Sequence, residues 1–122
     1  MGDQPVSPLR EPPVRGVESR NGAVVVQLAG ELDLYNAEEI RAALAEAIAS
    51  RPRCVVVDLA EVEFIDSTAL GVLIEARTRM PNRRGFLLAA PGLETRRALE
   101  ISGLDRHFAV HPSLDAALSA AV

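Results

Sequence analysis

The stretch Cys54-Val55-Val56-Val57-Asp58-Leu59-Ala60-Glu61-Val62-Glu63-Phe64-Ile65-Asp66-Ser67-Thr68-Ala69-Leu70-Gly71-Val72-Leu73 decides how this chain folds. It opens with a nearly continuous run of apolar β-formers, broken only by Asp58. Such a run suits a central strand covered on both faces, the pattern of parallel sheet rather than of half-solvated antiparallel sheet. Beyond Asp66-Ser67-Thr68 the pattern changes. Leu70, Leu73 and Ile74, with Val72 between them, continue as a helix. Pro81 disfavours helical geometry at the residue before it, so this helix stops near Met80. The segment reads as one buried strand feeding one helix.

Working outward, residues 14–19 read as a short edge strand and residues 23–29 as its returning partner. Asn21-Gly22 lies between them, a hairpin signal because both residues tolerate positive φ. Gly30-Glu31-Leu32-Asp33 leaves the second strand. Asn36 is placed to cap a helix, with Glu39 three residues on as in a capping box. Ile40, Ala43, Leu44, Ala47 and Ile48 then form one apolar stripe, and Pro52 follows the helix.

Downstream, residues 86–90 form another apolar strand closed by Pro91-Gly92, and residues 94–102 a third helix. Gly103 fits the left-handed position after it, with Leu104 turned onto Leu99. Residues 108–110 make a short strand, and Ser113 caps a last helix with Leu114, Ala117, Leu118 and Ala121 on one face. The order ββαβαβαβα predicts an α/β domain of five strands and four helices. Its mixed sheet has a leading antiparallel hairpin and parallel strands joined by right-handed crossovers. Residues 1–13 contain Pro5, Pro8, Pro12 and Pro13 and are expected to form a flexible tail; residues 14–122 form the single domain.

Composition narrows the function. Hydrophobic residues are 48% of the chain but aromatics only 3%, so the core is aliphatic. A net charge of −4 argues against a general nucleic-acid binder, which needs a positive field. The lone Cys54 excludes an internal disulfide and is expected to sit reduced in the core. No apolar run reaches the ~18 residues of a membrane span. Met1-Gly2-Asp3-Gln4-Pro5 carries no apolar signal region, so no membrane partner and a cytoplasmic location are expected.

His107 and His111 are the only histidines, too few donors for a metal site. There is no G-x-S-x-G elbow to support a Ser67–His hydrolase and no phosphate-binding P-loop. No cofactor is expected. Arg77, Arg79, Arg83 and Arg84 cluster near the end of the second helix, where cations suit the dipole and a solvated structural role.

Ser67 stands at a helix start, beside unpaired backbone N–H groups that tolerate an added phosphate. Its ordinary local reading is a cap, shared with Asp66. Asp33 and Asp66 read locally as turn and cap residues. Gly71 inside a helix costs about 1 kcal/mol relative to Ala. Close packing on the sheet is the preferred explanation, and close approach of a partner is the other.

Three motifs add a family resemblance. Asp66-Ser67-Thr68-Ala69-Leu70-Gly71 resembles the D-S-[ST]-[GA]-L-G signature of STAS-domain anti-sigma factor antagonists. Gly30-Glu31-Leu32-Asp33 resembles their G-E-[LI]-D, and Leu99-Glu100-Ile101-Ser102-Gly103-Leu104 their L-x-x-[ST]-G-L. Order and spacing are kept from Val14 onward.

The resemblance implies a STAS-like fold without enzymatic activity of its own. It implies phosphorylation at Ser67, with Thr68 as the outside candidate. The implied partner-binding residues are Asp33, Asp66, Ser67, Thr68, Leu70 and Gly71. The implied partners are an anti-sigma factor that is also a GHKL-type serine kinase and ATPase, and a phosphatase acting on phospho-Ser67. The unmodified protein would hold the anti-sigma factor and free a sigma factor. A STAS scaffold or transporter-associated module is the alternative, and the intact Asp66-Ser67-Thr68 favours the antagonist.

Overall fold

Residues 11–121 are described by the computed structural model. Most of the expected tail, residues 1–10, lies outside them. Pro13 is already buried, and its carbonyl accepts the Ala29 N–H at 2.9 Å, so the chain is tied to the sheet one residue before its first strand.

Among the described residues the elements run β1 (Val14–Arg20), β2 (Ala23–Leu32), α1 (Ala37–Ala49), β3 (Cys54–Ile65) and α2 (Ser67–Arg79). They continue with β4 (Phe86–Ala89), α3 (Leu93–Ser102), β5 (Ala109–His111) and α4 (Leu114–Ala120), and short 3₁₀ turns fall at Arg83–Gly85 and Leu104–Arg106. The order is the one the sequence predicts. The sheet is β1-β2-β3-β4-β5, with the first pair antiparallel and the others parallel. Asn21 (φ 52) and Gly22 (φ 87) both take the positive φ that a tight hairpin turn demands.

Each crossover steps to the next strand in the same direction. With one hand of crossover, α1, α2 and α3 must then lie on the same face of the sheet. There Val26, Leu28, Val57 and Leu88 pack with Ile40, Leu44, Leu73 and Leu99. On the opposite face Val25, Cys54, Val56 and Leu87 lie under Ala117 of α4, with Leu114 and Leu118 beside it. Residues 54–59 of β3 are all buried, which is why that run is apolar without alternation. In α1 the expected stripe holds: Ile40, Leu44 and Ala47 are buried and joined by Ala37, while Ala43 and Ile48 are half-buried.

The structure departs from the sequence expectation in three places. First, β2 and β3 do not stop at Ala29 and Leu59. Register shifts between Gln27 and Ala29 and between Gly30 and Glu31 give β3 extra residues, and pairing then continues to Leu32 and Ile65. Gly30 (φ 78) allows the second irregularity, and the Asp58 side chain accepts the Ala60 N–H at 3.1 Å beside the first. Second, Asn36 makes no capping bond to α1, so the capping box with Glu39 does not form. Its amide turns back instead: Oδ1 accepts from the Asp33 N–H at 2.9 Å and Nδ2 donates to the Glu31 carbonyl at 2.8 Å. Third, Phe108 precedes β5 rather than opening it, and packs with Phe86 at a ring separation of 6.1 Å. Gly103 ends α3 in the left-handed conformation (φ 77), and Leu104 packs against the core that contains Leu99. Among the described residues no helix is long and apolar enough to cross a membrane.

Cys54 is 3% exposed at the start of β3, and burial pushes its thiol above its ordinary range. A thiol reagent is therefore expected to modify the native protein at least ~100-fold more slowly than the denatured chain. Rapid labelling without denaturant would mean that the α4 face of the sheet opens readily.

Candidate phosphoacceptor and partner surface

β2 and β3 end side by side, and a single carboxylate ties the loop after one to the helix after the other. Asp66 comes directly after β3, where its extended backbone (φ −99, ψ 179) and side chain make it the N-cap of α2. Its N–H donates to the Leu32 carbonyl at 2.9 Å. Oδ1 accepts from the Ala69 N–H at 2.9 Å, and Oδ2 accepts from the Leu34 N–H at 3.2 Å. The first turn of α2 is thus stitched to the loop between β2 and α1. Within that loop the Asp33 Oδ1 accepts from the Tyr35 N–H at 3.0 Å. Both aspartates do turn and cap chemistry, and through it Asp66 holds two separate sequence motifs together.

Ser67 and Thr68 are the first residues of α2, and both are exposed. Among the described residues the Ser67 hydroxyl has no hydrogen-bond partner. It sits at the positive end of a helix of 13 residues, where N-terminal backbone N–H groups are left unpaired. Neither histidine bonds to it, so no nucleophile–base pair is formed.

Ser67, Gly71, Ile74 and Thr78 fall at helical spacing on one exposed face of α2. Exposed apolar side chains lie in the segments that meet at the start of α2. Leu34 is 59% and Tyr35 81% exposed in the loop that Asp66 holds, and Phe64 is half-exposed just ahead of it. Large apolar groups left in water beside one another mark a contact surface. The sequence reading did not single out Leu34, Tyr35 or Phe64 and counted Ile74 only in the apolar pattern of the helix, whereas it is 40% exposed. The available signal was two adjacent large apolar residues inside a turn otherwise built from Asp and Asn.

One expected partner contact is revised, and so is the packing explanation of Gly71. Leu70 is 7% exposed and belongs to the main core, so it supports the helix from beneath rather than meeting a partner. Gly71 is exposed, and a Cβ built on it would meet nothing within 4 Å, so close packing on the sheet does not explain it. It leaves bare backbone in the middle of the exposed face. Gly71→Ala is expected to stabilise the free protein by about 1 kcal/mol, a rise of a few degrees in Tm. An unchanged or lower Tm would show that the residue has a structural duty after all. In the arginine cluster, Arg77 and Arg79 occupy the last turn of α2 and Arg79 pairs with Glu75 at 3.0 Å, while Arg83 and Arg84 are exposed.

Fold and site together define a small α/β domain with an accessible hydroxyl set in an apolar surface, an arrangement for binding. The STAS domain matches residues 16–117, and the chain belongs to that family. It is 34% identical over 103 residues to the anti-sigma-F factor antagonist RsfB of Mycobacterium tuberculosis, with 84% of each chain covered. It is 33% identical over 103 residues to the anti-sigma F factor antagonist of Paenibacillus polymyxa, covering 81% of this chain and 84% of that one. The crystal structure of an anti-sigma factor antagonist from Mycobacterium paratuberculosis is similar with a TM-score of 0.81 at 36% identity, covering 86% of this chain and 90% of that one.

Proposed function

We propose that this protein is an anti-sigma factor antagonist that works by partner switching in the cytoplasm, with Ser67 as its phosphorylation site. The observation that supports this most is the exposed, unbonded Ser67 hydroxyl at the start of α2, next to Asp66, which holds the loop carrying the exposed Leu34 and Tyr35. In the unmodified state this surface, with Gly71 and Ile74 along the helix, binds the anti-sigma factor and frees a sigma factor. Asp33 and Asp66 hold its loop and helix in register. The partner is also the kinase, a GHKL-type ATPase, and a phosphatase acting on phospho-Ser67 resets the cycle. Thr68 is the neighbouring acceptor should Ser67 be blocked. ATP and its chemistry belong to the kinase, and this chain catalyses nothing.

The electrostatics support a switch at this place. A phosphate adds about −1.5 to −2 charge. The free helix end tolerates it, because backbone N–H groups and the dipole favour an anion there. In the complex the same dianion would have to lose water against Leu34, Tyr35 and Ile74, and burying an unpaired charge costs several kcal/mol. Free protein and complex therefore respond oppositely to one modification.

The test is identification of the partner. Ser67→Ala protein, immobilised and exposed to extract of the native cell, should retain a GHKL-type ATPase. Retention of a membrane transport complex in its place would support the scaffold or transporter-associated alternative.

A further inference from the structure

We propose that copies of this chain associate head to tail, the arginine-rich end of one seated on the acidic, Ser67-bearing end of the next. Strands β2 to β5 are parallel, so all start at one end of the sheet and finish at the other. The finishing end carries Glu31, Asp33, Glu61, Glu63 and Asp66. The starting end carries Arg20 at the hairpin, Arg51 and Arg53 ahead of β3, and Arg83 and Arg84 ahead of β4. These arginine-bearing connections touch one another. The Arg53 N–H donates to the Gly22 carbonyl at 2.9 Å, and its guanidinium donates to the Asn21 carbonyl. On the other side, a Cβ placed on Gly85 would lie 2.9 Å from the Arg53 carbonyl oxygen. Arg51, Arg83 and Arg84 are exposed and carry no ion pair among the described residues.

Helix dipoles explain only part of this polarity. Among the described residues the cations in the last turn of an α-helix are Arg77 and Arg79, both in α2, and Arg51 follows α1 with its N–H on the Ile48 carbonyl at 3.0 Å, which leaves Arg20 and Arg53, with Arg83 and Arg84 beyond the last turn of α2, outside any α-helix end. The connections that carry these arginines expose no large apolar side chain among the described residues. In a chain of net charge −4 the arginine end is the exception, and its own opposite end supplies the complementary carboxylates. Arginine suits that contact, since its planar fork bonds a carboxylate bidentately. A contact between two different ends does not close into a symmetric dimer but repeats, so species grow with concentration. Each such contact covers the Ser67 surface of one copy, which sets stacked copies and the anti-sigma factor in competition.

Sedimentation velocity on the wild-type protein at about 20 mM and about 500 mM salt tests this, because exposed charge pairs are screened across that range. In low salt the weight-average mass should rise with concentration to roughly twice the monomer's or more, and fall to the monomer's in high salt. Two charge-reversed chains, Arg83→Glu/Arg84→Glu and Glu61→Arg/Glu63→Arg, should each stay monomeric and keep their melting temperature. Their mixture should associate again, an outcome that damage to either fold cannot imitate. A wild-type protein monomeric in low salt, association that survives both reversals, or a mixture that stays monomeric would each overturn the proposal. A wild-type monomer that binds a short DNA duplex through the same arginines would assign that end to nucleic acid instead.

Discussion

Ser67→Ala is expected to abolish phosphate incorporation by the proposed partner kinase and to leave binding to the anti-sigma factor within a few-fold of wild type. This is the expected result if the hydroxyl is the acceptor and the surrounding apolar surface is the contact. Ser67→Asp is expected to weaken the complex about tenfold or more, equivalent to at least about 1.4 kcal/mol. It brings charge to the same spot, though less than a phosphate carries. Neither change should move the melting temperature by more than a degree or two. The cap bond of α2 comes from Asp66 to the Ala69 N–H, and the Ser67 side chain contributes no hydrogen bond to the fold. Phosphate uptake by Ser67→Ala at the wild-type rate would move the acceptor elsewhere, with Thr68 the first place to look. Wild-type affinity in Ser67→Asp would show that charge at this position does not control binding.

Asp66→Ala should have the largest effect on stability of any surface change near the site. It removes the acceptor for the Ala69 N–H and the acceptor for the Leu34 N–H together. Loss of an N-cap costs about 1–2 kcal/mol, which for a domain of this size lowers Tm by roughly 5 °C or more. The loop carrying Leu34 and Tyr35 also loses its tie to α2, so affinity for the anti-sigma factor should fall about tenfold, or roughly 1.4 kcal/mol. Asp66→Asn separates the two effects. Its carbonyl can keep the cap to Ala69 while its amide cannot accept from Leu34. Stability should largely return, and hydrogen exchange at the Leu34 amide should stay fast. Wild-type melting and exchange in Asp66→Ala would show that the carboxylate does not hold the two motifs together.

Much of this architecture is legible in the sequence because single residues carry it. The apolar run at 54–59 declares a strand buried on both faces, Asn21-Gly22 declares the hairpin, and Gly103 marks the end of α3. The extension of β2 and β3 is not legible, because bulges break the two-residue period on which strand patterns rest. Asn36 stands at the cap position of α1 but its side chain makes no cap bond, because the loop behind it offers that side chain two backbone partners. At the candidate site the motif points to the start of α2, but it does not say which residues face out. Leu70 and Gly71 are neighbours about 100° apart on a helix, so one faces the core and the other faces solvent. Only the position of the sheet decides which. The exposed Leu34 and Tyr35 join the site through a hydrogen bond spanning 32 residues of sequence, which local pattern cannot show.

The most direct test of the Ser67 switch uses the unmutated protein. Wild-type chain is phosphorylated by the kinase that Ser67→Ala retains, the modified residue is mapped by mass spectrometry, and both forms are titrated calorimetrically against that same partner. Phosphate on Ser67 alone, with affinity reduced about 100-fold or more (roughly 2.7 kcal/mol), is the expected result. Phosphate on another residue, or equal affinity of the two forms, would contradict it.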